Sequence, residues 1–197
     1  MGVLSFIIRG LHQLAAHFLR HGRIWLAAIL LSCLPFSGDA ETSLSEYSLK
    51  SAFIFNFSKF VEWPDSAFRG KADFCVATLG RTPLDKELSE LSGKSVHGRS
   101  IVFRKLSTPE EAELCQVLYI SRSDLAKLGG ILDSLRDLPV LTVADGDEFC
   151  RNGGMLSLVN QKGRIVFDVN FREMQRAKLR PNSQLLKLAR KIYGRPK

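Results

Sequence analysis

Side chains suited to catalysis are few and unevenly placed along this chain. Of its four histidines, only His97 lies beyond the first 23 residues; the others are His12, His17 and His21. A serine or cysteine nucleophile needs a basic partner, so a catalytic pair in the rest of the chain would have to use His97. No G-x-S-x-G motif occurs, and no cysteine–histidine cluster has the spacing of a zinc site. We therefore expect no catalytic residue, no metal site and no enzymatic activity.

Three short stretches could hold a small ligand or an ion. Gly80 follows a predicted strand and precedes a predicted helix, where α/β folds often bind anions, so an anion site there is one hypothesis. Gly153 and Gly154 precede a strand instead, which favours a tight turn over a phosphate-binding loop. The acidic stretch 145–148 lacks the spacing of a calcium loop, and we expect it to cap a helix. No cofactor is predicted.

The four cysteines leave several disulfide pairings open. Cys33 lies in the N-terminal segment described below, and Cys75, Cys115 and Cys150 follow it. Three cysteines allow three pairings, each of which leaves one thiol over. Cys75 and Cys115 lie beside two predicted strands, which favours that pair. A loop of this length stabilises the fold by about 4 kcal/mol in the chain-entropy model.

Residues 1–40 have the organisation of a secretion signal. Arg9, Arg20 and Arg23 stand in a stretch without acidic residues, an apolar run covers 24–34, and small residues precede Glu41. The apolar run is shorter than a membrane-spanning helix requires. We expect cleavage of residues 1–40 and a periplasmic domain formed by residues 41–197. An uncleaved anchor and a misassigned start site are alternatives.

A second alternative concerns Cys33. The stretch Leu30-Leu31-Ser32-Cys33 resembles a lipoprotein signal, although a residue smaller than Leu31 is usual two positions before the cysteine. Lipid anchoring at Cys33 is the less favoured interpretation.

The formal net charge of +8 is dispersed along the chain, and export makes a nucleic-acid partner implausible. Acidic lipid headgroups or an acidic protein face are the partners that a moderately basic exported protein attracts.

Apolar periodicity predicts the elements that position these residues. Residues 47–63 have helical spacing that ends at Pro64, and apolar runs predict strands at 74–80, 100–104, 117–120 and 139–143 with helices between them. Residues 155–159 and 164–169, joined by a turn at 160–163, predict a hairpin. Two helices, 173–179 and 183–193, complete the chain. The expected fold is a single three-layer α/β domain, with a mostly parallel sheet, an antiparallel C-terminal hairpin edge and helices on both faces.

Three stretches together resemble the YfiR-like family of exported bacterial proteins. They are SAFIFNFSKFVEWP at 51–64, the segment 139–143 with Phe149 and the GGM of 153–155, and GRIVFDVN at 163–170 followed by SQLLKLAR at 183–190. The similarity runs over about residues 47–193. It implies a periplasmic, homodimeric α/β protein without catalytic activity, and a disulfide between Cys75 and Cys115. In some relatives a second bridge ends at the position of Cys150, but the partner position expected near Val143 is not a cysteine here.

The resemblance also implies a function and a partner surface. The protein is expected to bind and repress the periplasmic sensor domain of an inner-membrane diguanylate cyclase, which lowers cyclic di-GMP and biofilm formation. An outer-membrane lipoprotein is expected to sequester it. By position, Phe149, Gln161 and Phe167 are the expected partner-facing residues, with core packing as the alternative for the two phenylalanines.

A second hypothesis comes from another class of protein. A doubly covered sheet with Leu79, Gly80 and Arg81 at a strand end also fits a periplasmic small-ligand sensor that serves another membrane receptor, such as a histidine kinase.

Overall fold

This computed structural model describes residues 38–194, with side chains from Glu46 onward. The expected signal segment, apart from its last three residues, lies outside the described part, as does Cys33. Residues from Thr42 onward form one compact unit. Between Gly38 and Gly194, no helix combines the length and the apolar character needed to cross a membrane.

Strands and helices alternate through most of this unit. The helices are α1 (Gly38–Phe60), α2 (Leu84–Ser89), α3 (Leu128–Leu135), α4 (Phe171–Arg176) and α5 (Ser183–Leu188). The strands are β1 (Val61–Glu62), β2 (Phe74–Leu79), β3 (Ser95–Val96), β4 (Arg99–Leu106), β5 (Val117–Ile120), β6 (Leu141–Asp145), β7 (Leu156–Gln161), β8 (Arg164–Asn170), β9 (Arg180–Pro181) and β10 (Lys191–Tyr193). Short 3₁₀ turns cover Asp65–Ala67, Pro109–Leu114 and Arg122–Lys127.

Helix α1 carries the longest apolar pattern of the predicted domain. Ile54 and Phe57 of this helix are fully buried, because the apolar spacing of three and four residues places them on the face that meets the core. The helix ends at Phe60 rather than at Trp63, since Val61 and Glu62 pair as β1 with β9. It begins at Gly38, earlier than expected, in a polar stretch whose residues show no apolar period.

Eight strands form the main sheet in the order β10-β8-β7-β6-β5-β2-β4-β3. The central neighbours, from β4 through β2, β5 and β6 to β7, are parallel, whereas β7–β8 and β3–β4 are antiparallel. The chain passes from β2 to β4 on one side and returns to β5 on the other, so its topological switch point lies between β2 and β5.

Apolar clusters cover both faces of the sheet. Along β2, Phe74 and Val76 belong to one cluster, while Cys75 and Ala77 belong to the other, as the alternation of side chains in a strand requires. Helices α1, α2, α4 and α5 pack on the first cluster, and α3 packs on the second. The predicted single α/β domain, with a mostly parallel sheet and helices on both faces, is confirmed.

The C-terminal prediction is wrong beyond Leu188. A helix was expected from 183 to 193, but α5 ends at Leu188 and the chain then turns to form β10. Ile192 pairs in parallel with Val169 of β8, so a short strand lies outside the predicted hairpin. The apolar spacing fits a helix, and pairing with the open edge of β8 outweighs that local preference.

Candidate partner-binding site

The turn between β7 and β8 is the most exposed part of the predicted partner surface. Lys162 and Gly163 have φ values of 53° and 79°, the pair of positive angles that a tight two-residue hairpin turn requires. Asn160 Oδ1 accepts a hydrogen bond from the Gly163 amide at 3.0 Å, and Asn160 Nδ2 donates to Glu46 Oε2 at 3.2 Å. These bonds fix the turn and attach it to helix α1.

Residues 160–164, called the hairpin tip below, are all exposed. Lys162 and Arg164 belong to the tip, and neither forms an ion pair with any described residue. The tip therefore presents two positive charges and the Gln161 amide on a backbone held by the β7–β8 ladder. Such a surface attracts an acidic protein face.

The structure does not bring Phe149, Gln161 and Phe167 into one exposed patch. Phe167 is 4% exposed and packs between Phe53 and Phe57 of α1, at ring-centroid distances of 5.8 and 5.0 Å. Phe149 is 3% exposed and belongs to the apolar cluster on the other face of the sheet. Of the three residues, Gln161 is exposed, whereas Phe167 packs under strand β8 and Phe149 packs in the turn that precedes β7.

The acidic stretch 145–148 does not cap a helix, and that prediction is wrong. A turn follows it in the structure, and its carboxylates pair with basic residues instead. Asp145 Oδ2 lies 2.7 Å from Lys50 Nζ, which also lies 2.7 Å from Glu46 Oε1. Burial lowers the pKa of Lys50, but its bonds to the two carboxylates more than offset burial, so the pKa is raised and the ammonium stays charged.

A second buried charge pair holds the C-terminal strand. The Asp168 carboxylate is fully buried and accepts hydrogen bonds from Arg190 Nε at 2.8 Å and Nη2 at 2.7 Å. Arg190 also pairs with Asp147, and its amide donates to the Phe167 carbonyl. This two-point contact ties the residue before β10 to both β8 and the 145–148 turn.

Cys75 and Cys115 form a disulfide, as predicted, with their Cα atoms 4.5 Å apart. The bridge joins β2 to the segment just before β5.

Cys150 is free and buried, and burial raises the pKa of its thiol to about 12. The Ser157 Oγ accepts a hydrogen bond from the Cys150 amide at 3.1 Å. Cys150 therefore sits in a closed environment where a thiolate is disfavoured.

The anion hypothesis at Gly80 is wrong, because side chains fill the switch point. Gly80 has φ +82°, and a Cβ built there would lie 1.9 Å from Asp124 Oδ2 and 2.8 Å from Ser123 Oγ. Ser123 Oγ donates to Asp124 Oδ2 at 2.7 Å, and Ser121 Oγ donates to the Arg81 carbonyl at 2.9 Å. The carboxylate that occupies this place repels an anion. No sequence signal placed Asp124 against Gly80.

Residues 62–65 line an open groove that sequence reasoning missed. The groove has a volume of about 540 Å³ and is lined by Glu62, Trp63 and Asp65 from one segment and by Lys178 and Arg180 from another. The Trp63 indole packs edge-on against Phe74 at 5.1 Å, and its Nε1 donates to the Gln116 carbonyl at 3.2 Å. A fixed aromatic side chain flanked by both signs of charge can hold a small zwitterion.

His97, the histidine of the described residues, contacts the backbone at the end of helix α1. Its Nε2 lies 3.0 Å from the carbonyl oxygens of both Ser58 and Val61. Among residues 38–194, no group of three or more His, Cys, Asp or Glu side chains has the arrangement of a metal site.

Two comparisons with known proteins bear on this chain. A solved structure, an ABC domain in complex with L-Trp from Streptococcus pneumonia, is similar with a TM-score of 0.45 and 8% identity, covering 60% of this chain and 55% of that one. A likeness at that level has no bearing on function. A family model described as YfiR/HmsC-like matches residues 47–190, from helix α1 through the hairpin to Arg190. Because the match covers most of the sequence, this chain belongs to the YfiR/HmsC-like family, whose members are periplasmic regulators of cyclic di-GMP signalling rather than enzymes.

Proposed function

We propose that this protein binds the periplasmic domain of an inner-membrane diguanylate cyclase and holds the enzyme inactive. Family membership implies interaction with a membrane signalling partner, and repression of a cyclase is the specific form proposed here. The observation that carries the proposal is the match over residues 47–190, which includes the exposed, positively charged hairpin tip.

The proposed mechanism is a protein–protein contact through the hairpin tip. Lys162 and Arg164 steer an acidic face of the cyclase domain onto the tip, and Gln161 supplies a directional hydrogen bond. Phe167 holds strand β8 against helix α1, so the tip is presented on a rigid support. Repression by population shift requires that the tip bind the inactive conformation of the cyclase domain more tightly than the active one.

Deletion of the gene in the source bacterium tests this function. The proposal expects higher cyclic di-GMP and more biofilm in the deletion strain, both reversed by the wild-type gene. A deletion that leaves cyclic di-GMP unchanged under conditions where the protein is made contradicts repression.

Sequestration by an outer-membrane lipoprotein is a further part of the proposal, and co-purification tests it. Homodimer formation is another part, and light scattering tests it.

Localisation is proposed to follow from cleavage of residues 1–40. Mass spectrometry of the protein recovered from the periplasm should find a mature N-terminus at Glu41. Recovery of a lipidated Cys33 would instead place the protein on a membrane.

A second candidate function is a small-ligand sensor that serves another membrane receptor, such as a histidine kinase. The groove beside Trp63 favours it, because both acidic and basic side chains line it. Thermal-shift screening with amino acids and nucleotides tests this function, because a specific ligand raises the melting temperature and Trp63→Ala should remove that increase. No increase across the screen rules the candidate out.

A further inference from the structure

Strand β4 leaves most of one edge open. It pairs with β2 from Ile101 to Leu106, but β3 covers its other edge only at Arg99 and Ser100. Ile101 is the last residue with outward backbone bonds, since its amide donates to the Lys94 carbonyl and its carbonyl accepts from the Gly93 amide.

The backbone groups beyond Ile101 are available to another strand. Peptide groups alternate in direction along a strand, so the amides and carbonyls of Phe103 and Lys105 point the same way as those of Ile101. Among residues 38–194, none pairs with this outer edge beyond Ile101. An unpaired row of this kind is a template for an added strand.

The side chains at this edge define what such a strand must carry. Arg104 is exposed and forms no ion pair with a described residue, while Lys105 pairs with Asp85 yet keeps 61% of its side chain exposed. Beside them lies an open groove of about 360 Å³ that includes Leu106 and the exposed Leu114.

The one acidic side chain in that groove is already engaged. Glu111 accepts hydrogen bonds from the Ser107 amide at 2.8 Å and from the Thr108 amide at 3.4 Å, and so closes the turn after β4. The edge and the groove together therefore offer unpaired backbone groups, apolar contact at Leu106 and Leu114, and positive charge.

We propose that the open edge of β4, residues 102–106, docks an extended acidic segment of a partner protein, which adds to the sheet as a strand. Main-chain hydrogen bonds to Phe103 and Lys105 hold the segment. Because side chains alternate along a strand, its carboxylates meet Lys105 on one face, and apolar side chains on the other face enter the groove beside Arg104 and Leu114. The edge lies at the opposite end of the strand order from the hairpin, so this site is independent of the proposed repression.

The charges favour a different protein over a second copy of this chain. Two β4 edges paired about a twofold axis near these residues would bring four positive charges, Arg104 and Lys105 of each copy, together along one seam. Like charges facing each other across strands are destabilising, so self-pairing is opposed while an acidic strand is favoured.

Amide NMR of the chain from Glu41, titrated with the peptide TEVEVET and its basic counterpart TKVKVKT, tests the proposal. TEVEVET should shift the amides of residues 102–106 and Leu114, and TKVKVKT should not. The absence of shifts at millimolar TEVEVET, shifts confined to other regions, or equal effects of the two peptides would overturn it.

Two variants separate backbone pairing from charge. Lys105→Pro removes an outward amide that β2 does not use, and should weaken TEVEVET binding about tenfold relative to Lys105→Ala, which keeps the amide. Should the proline variant fail to fold, Arg104→Glu takes its place, with Lys187→Glu on helix α5 as the charge-matched control. Arg104→Glu should weaken acidic-peptide binding and Lys187→Glu should not; equal binding by both overturns the proposal.

Discussion

Phe149 packs directly on Gly154, so closely that a Cβ added to Gly154 would lie 2.2 Å from Cε1 of the ring. Gly154 also donates its amide to the Phe149 carbonyl at 2.9 Å, which closes the turn that leads into β7. Gly154 is thus explained by packing, because the ring occupies the place of a side chain, whereas Gly153 is explained by its φ of +98°. Phe149 shapes the turn before the hairpin from within the core.

Gly154→Ala should therefore destabilise the protein by about 1–3 kcal/mol, because the new methyl group overpacks against the ring. Gly129→Ala is the matched control, since nothing lies within 4 Å of its added Cβ, and alanine should instead stabilise helix α3 by about 0.5–1 kcal/mol. Chemical denaturation of both variants measures the difference. Equal effects of the two substitutions would show that the ring does not restrict position 154.

Loss of the Cys75–Cys115 bridge should cost about 4 kcal/mol, the chain-entropy value for cysteines separated by 40 positions. The double variant Cys75→Ser, Cys115→Ser should show a correspondingly lower denaturation midpoint, and a reductant should no longer affect it. Cys150→Ser serves as the control that retains the reductant response. A wild-type protein whose midpoint ignores reductant would argue against a stabilising bridge.

Cys150 should be inert to alkylation in the folded protein. With its pKa raised to about 12 by burial, only about one thiol in ten thousand is ionised at pH 8, whereas an unfolded cysteine titrates near pH 8.5. The raised pKa means that the unfolded state loses its proton first, so the contribution of Cys150 to stability is full below about pH 8.5 and declines as pH rises towards 12. Iodoacetamide labelling followed by mass spectrometry should be slow until denaturant is added; rapid labelling of the native protein would contradict this.

Arg190→Ala should destabilise the protein by about 3–5 kcal/mol, because it leaves the buried Asp168 carboxylate without its cation. Arg190→Lys should recover only part of the loss, since an ammonium cannot reproduce the two-point contact. Asp147→Asn is the control on the exposed side of the same guanidinium, with a much smaller effect. If alanine and lysine prove equally mild, Arg190 does not hold β10 on β8.

Local patterns accounted for much of this fold, because they reflect burial along single elements. The strand at 74–80 and the hairpin at 160–163 follow from apolar runs and turn residues, and the pairing of Cys75 with Cys115 follows from their positions beside two strands. Ile192 shows the limit of such reasoning. Its spacing from Leu185 and Leu188 suits a helix, yet an open neighbouring strand decides its conformation.

The candidate site was harder to predict from the sequence than the fold, because it depends on contacts between segments that are far apart in the chain. Nothing in the local pattern places Asp124 over Gly80, or Trp63 in the same groove as Arg180. Phe149 and Phe167 had two interpretations at the outset, and only their packing partners show that both rings lie in the core. Gln161 remains at the surface with the charged tip.

The central claim, that the hairpin tip contacts the cyclase, is tested most directly by binding of the chain from Glu41 to the purified periplasmic domain of the cyclase whose activity the deletion releases. Lys162→Glu and Arg164→Glu should each raise the Kd about tenfold, and more at low salt. Lys71→Glu, an equal charge change just before β2, which lies three strands from β7 in the sheet, should leave the Kd unchanged. Wild-type affinity in both tip variants, or no binding by the wild-type protein, would contradict the account.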